Sequence, residues 1–457
     1  MLKEWFENLD ITRDPFDQFK SRQQCIELIF HSKLSKIDLQ QGIETIVNII
    51  ISPSSTKSTF YLTICHDIFK HGRQNKDDSS HLAYQLLNCL EEKESISLWI
   101  KQKLSGLSSV NEEECVPFLI FMIDLLKTMT VMGNGNIIFL DNIVMSDDDD
   151  QWISTLTQLW YHSHIAVVRK SMEFTIRLLK YYSTIKQLNL KVVPQFISFI
   201  YHCKAVLSPF QLQLLQEHDR TEFIYQPLFN DKDNHTLTLD RECLNLLIQI
   251  SITIIYNIIQ YDINDVPMSI KISLEETMTL FLKFISNICG SNDQSTIRLQ
   301  LDILHIHLLL EQQQSTMKKK SCISWSNLFS PLFNHINPHT LFLYFLQRTG
   351  MDHELIIDLL ISNETDMLLF LVKYLKFIER HPTTFITTFN QLIHDEYIEE
   401  EEEIDGEEAD EGEHIYTFIS LLYQLTVILQ SNVFPYNATV LVRRINSVIQ
   451  CLQQLLE

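Results

Sequence analysis

Apolar residues recur along this chain at helical spacing, and short polar breaks separate the apolar stretches. Ile46, Ile49 and Ile50 are spaced as neighbours on one helix face. At 273–289 a Ser–Glu capping box precedes a single apolar stripe. This pattern predicts a long loop at 224–237 and helices at 16–34, 38–51, 58–71, 79–92, 95–107, 112–132, 164–182, 192–208, 238–261, 273–289, 293–315 and 414–432.

The densest apolar block is 341–378, where helix start and stop signals are clear. Gly350 ends one helix, and Asp352 is placed to cap the next. A third helix opens after Glu364 and closes with basic residues up to Arg380, a charge order that favours the helix dipole. Such short connections predict three closely packed helices.

The last helix follows a proline-containing turn. Phe434 precedes a proline and must be extended, and Asn437 is a natural N-cap. Tyr436 is placed to pack on Leu441 as a hydrophobic staple. One apolar face is predicted, made of Leu441, Ile445, Val448, Leu452 and Leu455. We expect this face to dock on the 341–378 block.

Composition supports an all-α fold. The chain has 457 residues and only 9 glycines, too few for many tight strand turns. Helices recur in pairs at roughly 35–45 residues, which favours an irregular α-solenoid of HEAT/armadillo-like helical hairpins with a C-terminal helical unit. A compact irregular helical bundle is the alternative.

Charge marks the domain organisation. The net charge is −22, and the segment 395–413 is rich in acids and has no base. Like charge at this density resists folding, so this segment is predicted to be a disordered acidic insert. The predicted divisions are an N-terminal helical region at 1–315, a lysine-containing linker at 316–322, and a C-terminal helical unit at 323–394 and 414–457.

The sequence contains no recognisable motif for catalysis, metal binding or cofactor binding. The 9 cysteines are scattered without a CxxC pair, and no phosphate-binding or nucleophile-elbow motif occurs. The sequence therefore predicts no catalytic residue, cofactor, metal or disulfide, and no small-molecule substrate. The acidic balance disfavours direct nucleic-acid binding, and the most apolar run, at 243–261, has too many polar positions for a membrane span.

Two blocks of the chain resemble the Lines family. The first block contains Asp352, His353, Asp358, Leu360, Ile361, Ser362, Asn363, Glu364, Thr365, Tyr374, Leu375 and Lys376, and it is similar to the family's C-terminal block. The second contains Phe434, Pro435, Tyr436 and Asn437. Where the family pattern continues with proline, this chain has Ala438, which still permits the helix.

The resemblance implies Lines N- and C-terminal regions and an intracellular regulator of cytoplasm or nucleus, linked in animals to Wingless/Wnt signalling and developmental patterning. Its motif residues would serve structure or interaction. The function expected is a non-catalytic helical scaffold that binds other proteins. Two alternatives stay open: an enzyme whose site is assembled from distant residues, and a structural subunit of a constitutive complex. A cleft with perturbed pKa values would favour the enzyme, and a groove with exposed aromatics the scaffold.

Overall fold

The described part of the chain is helical. The computed structural model describes residues 2–9, 11, 14–31, 35–52, 57–74, 78–107, 112–132, 156–160, 162–185, 241–260, 293–316, 337–362, 365–400, 413–431 and 434–457. No strand occurs in these ranges, so the all-α class is confirmed for them. The arrangement as a stack of hairpins stays a prediction.

Most of the helices lie where the sequence pattern predicts them, but the pattern does not predict those at Leu2–Asn8 and Pro382–Glu400. The described helices are α1 (Leu2–Asn8), α2 (Pro15–His31), α3 (Lys36–Ile51), α4 (Ser58–Gln74), α5 (Asp78–Glu91), α6 (Glu94–Gly106), α7 (Glu112–Met132), α8 (Ile165–Ile185), α9 (Arg241–Gln260), α10 (Asp293–Thr316), α11 (Pro338–Arg348), α12 (His353–Ile361), α13 (Met367–Arg380), α14 (Pro382–Glu400), α15 (Glu413–Leu429) and α16 (Thr439–Leu456). The helices predicted at 192–208 and 273–289 and the loop at 224–237 lie outside the described residues.

The chain divides into two compact units. The first contains Met1–Leu207 and Phe223–Thr253, and the second contains Ser208–Glu222 and Ile254–Glu457. The division therefore falls inside α9, earlier than the linker predicted at 316–322, most of which lies outside the described residues. The linker stays a prediction.

In the first unit, α2 contacts α4, α4 contacts α7, and α7 contacts α8. Helix α3 packs against α1, α4, α5 and α6. Gly42 on α3 allows the close approach of α1, because a Cβ there would lie 3.1 Å from Leu2 Cδ1 and 3.2 Å from Phe6 Cε2. The buried Tyr61 hydroxyl on α4 donates a 2.6 Å hydrogen bond to the Phe6 carbonyl. A side chain of α4 thereby fixes the short α1.

Ion pairs link α4 to α2 and to α7 in the first unit. Arg22 on α2 donates two 2.6 Å hydrogen bonds to Asp67 on α4. Asp124 on α7 accepts from both His66 and Arg73 of α4. Burial alone would raise the pKa of Asp124, but the His66 hydrogen bond and the Arg73 charge outweigh it and hold this pKa below its usual value.

The described helices of the second unit, α10 to α16, share a hydrophobic core. Helix α13 is central to it and packs against α10, α12, α14 and α16. The α16 face lies in this core through Leu441, Ile445, Val448 and Leu452, whereas Leu455 is exposed. This is the packing of the last helix on the 341–378 block that the sequence predicts.

The acidic insert begins on a helix. Helix α14 continues to Glu400, so the first residues of the segment predicted to be disordered, from Asp395 onward, are helical. Residues 401–412 lie outside the described residues, and the prediction of a disordered insert stays a prediction for them.

Candidate functional site

The first Lines-like block begins at a tight turn between α11 and α12. Gly350 has φ +64, and Met351 has φ 51. The Met351 N–H donates to the Leu346 carbonyl and the Gly350 N–H to the Gln347 carbonyl, which is a Schellman ending of α11. Asp352 then caps α12 by accepting a 2.8 Å hydrogen bond from the Glu354 N–H. The predicted helix stop at Gly350 and the predicted helix cap at Asp352 are confirmed.

The end of α12 joins the two Lines-like blocks. The last carbonyls of a helix have no partner within it and need one from outside. Thr365 donates from its hydroxyl to the Leu359 carbonyl at 2.7 Å, and Tyr436 donates from its hydroxyl to the Leu360 carbonyl at 2.9 Å. A residue of the second block therefore completes a helix of the first.

The Tyr436 ring stacks edge-on against Phe434 with centroids 4.6 Å apart. The staple between Tyr436 and Leu441 stays a prediction. Helix α16 begins one residue later than expected, with Ala438 at the N-cap position. Asn437 still serves the helix start, because its side chain accepts from the Thr439 N–H at 3.0 Å.

Tyr374 lies fully buried beside a buried histidine. His339 Nδ1 and the Tyr374 hydroxyl are hydrogen-bonded at 3.1 Å, and Phe377 and Phe385 enclose the imidazole. Burial, assisted by the nearby His381 and by His307, lowers the pKa of His339 to about 3. The imidazole is thus neutral at physiological pH and part of the core.

The remaining residues of the two blocks divide between core and surface. His353 is half-buried with Nδ1 4.0 Å from the Asp352 carboxylate. The Ser362 N–H closes α12 by donating to the Asp358 carbonyl. Leu375 is buried, Phe434 packs against the core, and Asp358, Ile361 and Pro435 are exposed. Asn363 and Glu364 lie outside the described residues.

Lys376 faces a groove between α10 and α13, here called the α10–α13 groove. It has a volume of about 530 Å³ and is lined by Leu308, Glu311, Gln312, Lys373, Lys376 and Arg380. Lys376 is exposed and has no hydrogen-bond or ion-pair partner among the described residues. Three cations at helical spacing on α13 thus face a single carboxylate on α10.

Two histidines contact charged side chains of this groove. Lys373 donates a hydrogen bond to His305 Nε2. Burial and the Lys373 charge lower the pKa of His305 to about 4, so the imidazole is neutral and can accept. Glu311 lies 2.6 Å from His381 Nε2 and 3.7 Å from Arg380 Nη1. The carboxylate is engaged, and Lys376 stays available.

The sequence pattern does not identify this groove. The bases of α13 stand at i, i+3 and i+7, a spacing that marks one face, but the same bases also suit the end of a helix dipole. The missed partners are Leu308 and Glu311, which come from α10 across a large sequence separation. A charged face of a helix can be recognised as one side of a groove only when the helix that packs beside it is known.

Metal and thiol chemistry find little support in the described residues. Within those ranges no group of three or more His, Cys, Asp or Glu side chains is arranged to hold a metal ion. Five of the six described cysteines are buried, and burial raises the thiol pKa, for example to about 12 for Cys25 and about 11 for Cys115. None of the helices described is both long and apolar enough to cross a membrane.

Comparison with known proteins supports the family resemblance. Residues 259–388 match the family model described as the Lines N-terminus. The chain is 40% identical over 79 residues to Protein lines of Drosophila melanogaster and 42% identical over 59 residues to Protein Lines homolog 1 of Homo sapiens. These segments are 17% and 13% of this chain but only 9% and 8% of the two relatives. No solved structure matches the chain.

The matched region contains both the α10–α13 groove and the 341–378 block. The sequence resemblance placed that block in the family's C-terminal part, whereas the matching model is the one for the N-terminus. The resemblance to Lines is confirmed, with the model match covering 259–388. The second block, at 434–437, lies outside this match, and its assignment to the family stays a prediction.

Proposed function

We propose that this chain, whose residues 259–388 match the Lines N-terminus model, is a non-catalytic helical adaptor that regulates other proteins by binding them. The relatives that it matches are Lines proteins, but the chain spans less than a tenth of their length. The activity of the whole protein is therefore part of the proposal.

The observation that carries the proposal is the position of Lys376. Most of the hydrogen-bonding side chains of the Lines-like blocks cap helices or join elements, as Asp352, Thr365 and Tyr436 do. Lys376 instead stands unpaired, among the described residues, in the α10–α13 groove. Charged side chains around a groove select partners of complementary charge. The partner proposed presents carboxylates to Lys373, Lys376 and Arg380.

Exposed aromatic side chains in the same unit also support a binding role. Tyr416 and Tyr423 lie seven residues apart on one face of α15 and are 52% and 47% exposed. Tyrosine is enriched where proteins bind each other. They do not line the α10–α13 groove, so they offer a second area of contact in the second unit.

An enzymatic role has less support in this unit. The residues with the most strongly lowered pKa values, His305 and His339, are held neutral by burial. His339 is enclosed by aromatic rings and does not line the groove. Perturbed pKa values mark catalytic groups only where a substrate can reach them.

The finer role comes from the family resemblance. We propose that the chain acts inside the cell, in the cytoplasm or nucleus, as a regulator of the Lines type in Wingless/Wnt-dependent patterning. A Wnt-responsive reporter in cells depleted of this protein tests the pathway assignment. Restored reporter control by the wild-type chain, but not by Lys376→Glu, is the expected result.

Affinity purification with quantitative mass spectrometry tests the binding role. The wild-type chain is compared with Lys376→Glu and with Arg443→Glu, which makes the same charge change at an exposed position of α16 outside the groove. We expect a set of partners with acidic segments that is lost with Lys376→Glu and kept with Arg443→Glu. Equal recovery by all three chains would contradict the proposal.

A further inference from the structure

The first unit contains a separate charged groove, here called the α4–α7 groove. It has a volume of about 550 Å³ and receives side chains from α2, α4, α7 and α8. Thr63, His66, Lys70 and Arg73 share one face of α4, and Pro117, Ile120, Asp124 and Lys127 share one face of α7. The groove is therefore built from matched faces of neighbouring helices.

Cations exceed carboxylates in this groove. The cations are Arg22, Lys70, Arg73, Lys127 and Lys170, and their carboxylate partners are Asp67, Asp124 and Glu173. Lys127 and Lys170 share Glu173, at 3.2 and 2.7 Å. Lys70 is exposed and has no hydrogen-bond or ion-pair partner among the described residues. Two positive charges are thus left for an incoming anion, in a chain whose net charge is −22.

The lowered pKa of Lys127 agrees with a groove in which cations exceed carboxylates. Burial lowers its pKa, and the nearby Arg177 acts in the same direction, despite the opposing charge of Glu173. An anion placed beside this ammonium group would offset the cost of its burial.

The shape of the groove suits an extended chain with apolar side chains. Pro117, Ile120 and Ile123 of α7 give it an apolar floor between the charged rims. Packed helices lie about 8–10 Å apart, so the three steps from α2 to α8 span roughly 25–30 Å. An extended peptide of about eight or nine residues has this length, at about 3.3 Å per residue.

We propose that the α4–α7 groove binds an extended segment of a partner protein that carries both acidic and apolar side chains. Carboxylates of the segment meet Lys70 and the Lys127–Lys170 pair, and its apolar side chains lie on the Ile120 floor. A nucleic acid fits less well, because Asp124 and Glu173 would repel successive phosphates and no Phe, Tyr or Trp is among the lining residues. This site is in the other unit from the α10–α13 groove and does not depend on it.

The test uses the full-length chain and a fluorescein-labelled nine-residue peptide of alternating Glu and Leu with one benzoylphenylalanine. Fluorescence anisotropy gives the affinity, and photocrosslinking with mass spectrometry gives the location. The variant is Lys70→Glu. The control is Lys3→Glu, which makes the same charge change at an exposed position of α1, outside the groove.

We expect crosslinks in α4 or α7, an affinity that falls at least about tenfold with Lys70→Glu, and no change with Lys3→Glu. A peptide with Gln in place of Glu should bind much more weakly. Crosslinks confined to α10 and α13 would overturn this proposal while supporting the α10–α13 groove. Equal affinity of the Glu and Gln peptides, or tighter Lys70-dependent binding of a single-stranded oligonucleotide, would also overturn it.

Discussion

Individual side chains of the Lines-like blocks stabilise places where the backbone would otherwise lack partners. The Leu359 and Leu360 carbonyls at the end of α12 receive hydroxyl groups from Thr365 and Tyr436. Tyr436 is separated from Leu360 by 76 positions along the chain. Tyr436 therefore connects segments that are remote in sequence, and this connection needs its hydroxyl.

Replacing Tyr436 with Phe removes the hydroxyl and leaves the ring in place. The variant should lose about 0.5–1.5 kcal/mol of unfolding free energy, the net contribution of one such hydrogen bond, measured by denaturant titration. Tyr416→Phe is the matched control, since Tyr416 is exposed and makes no such bond in the described structure; it should change stability by less than about 0.5 kcal/mol. Similar losses in both variants would argue against a stabilising role for the hydrogen bond from Tyr436 to Leu360.

Acid should weaken the fold through His339. Its pKa is about 3 in the folded chain and about 6.5 when exposed, so the unfolded chain binds one more proton between these values. Stability attributable to this group is complete above about pH 6.5 and is lost as the pH falls toward 3, by about 1.4 kcal/mol per pH unit. Denaturant titrations from pH 7 to 5 should show a smaller slope for His339→Phe. Parallel pH dependences of variant and wild type would show that His339 does not contribute.

At the scale of elements, the start and stop signals of the helices are largely readable from sequence. Helix α7 has the predicted bounds, and the cap at Asp352 and the stop at Gly350 are where the pattern places them. Helix α14 is harder to predict, because the β-branched residues after Pro382 favour strands. Burial of Phe385 and Phe389 in the core overrides that preference.

The α11–α12 turn should depend on the backbone freedom of Gly350. Nothing lies within 4 Å of a Cβ added there, so Gly350→Ala should cost only the left-handed backbone strain, about 1–2 kcal/mol. Gly106→Ala is the control: its added Cβ also meets nothing, and it ends α6 without a positive φ. That change should be neutral or stabilise by up to about 1 kcal/mol. Equal effects on the denaturation midpoint would remove the need for glycine at 350.

Contacts between elements are the part that the sequence does not reveal. The bases of α13 can be read as a helix end, yet Leu308 and Glu311 of α10 turn them into one side of a groove. In the first unit, the carboxylate of Asp124 is indistinguishable in sequence from any acid in an apolar stretch until His66 and Arg73 lie beside it. Helical periodicity reports which face is buried, not which helix covers it.

At the scale of the molecule, the net charge and the local charge have opposite signs. The chain carries −22 overall, whereas cations outnumber carboxylates in the lining of both described grooves. At physiological salt the Debye length is about 8 Å, so a partner within a groove responds to the nearby lysines and arginines more than to distant acids. A basic groove can therefore bind an acidic segment of a partner even though the chain as a whole is acidic.

Hydrogen–deuterium exchange, measured on the chain alone and in complex with an acidic partner recovered by affinity purification, shows whether the α10–α13 groove binds that partner. We expect slower exchange in the peptides of α10 and α13 that carry Leu308, Glu311 and Lys376, and no such protection when Lys376→Glu is mixed with the same partner. Unchanged exchange in these peptides, with protection confined to elsewhere in the chain, would contradict binding in this groove.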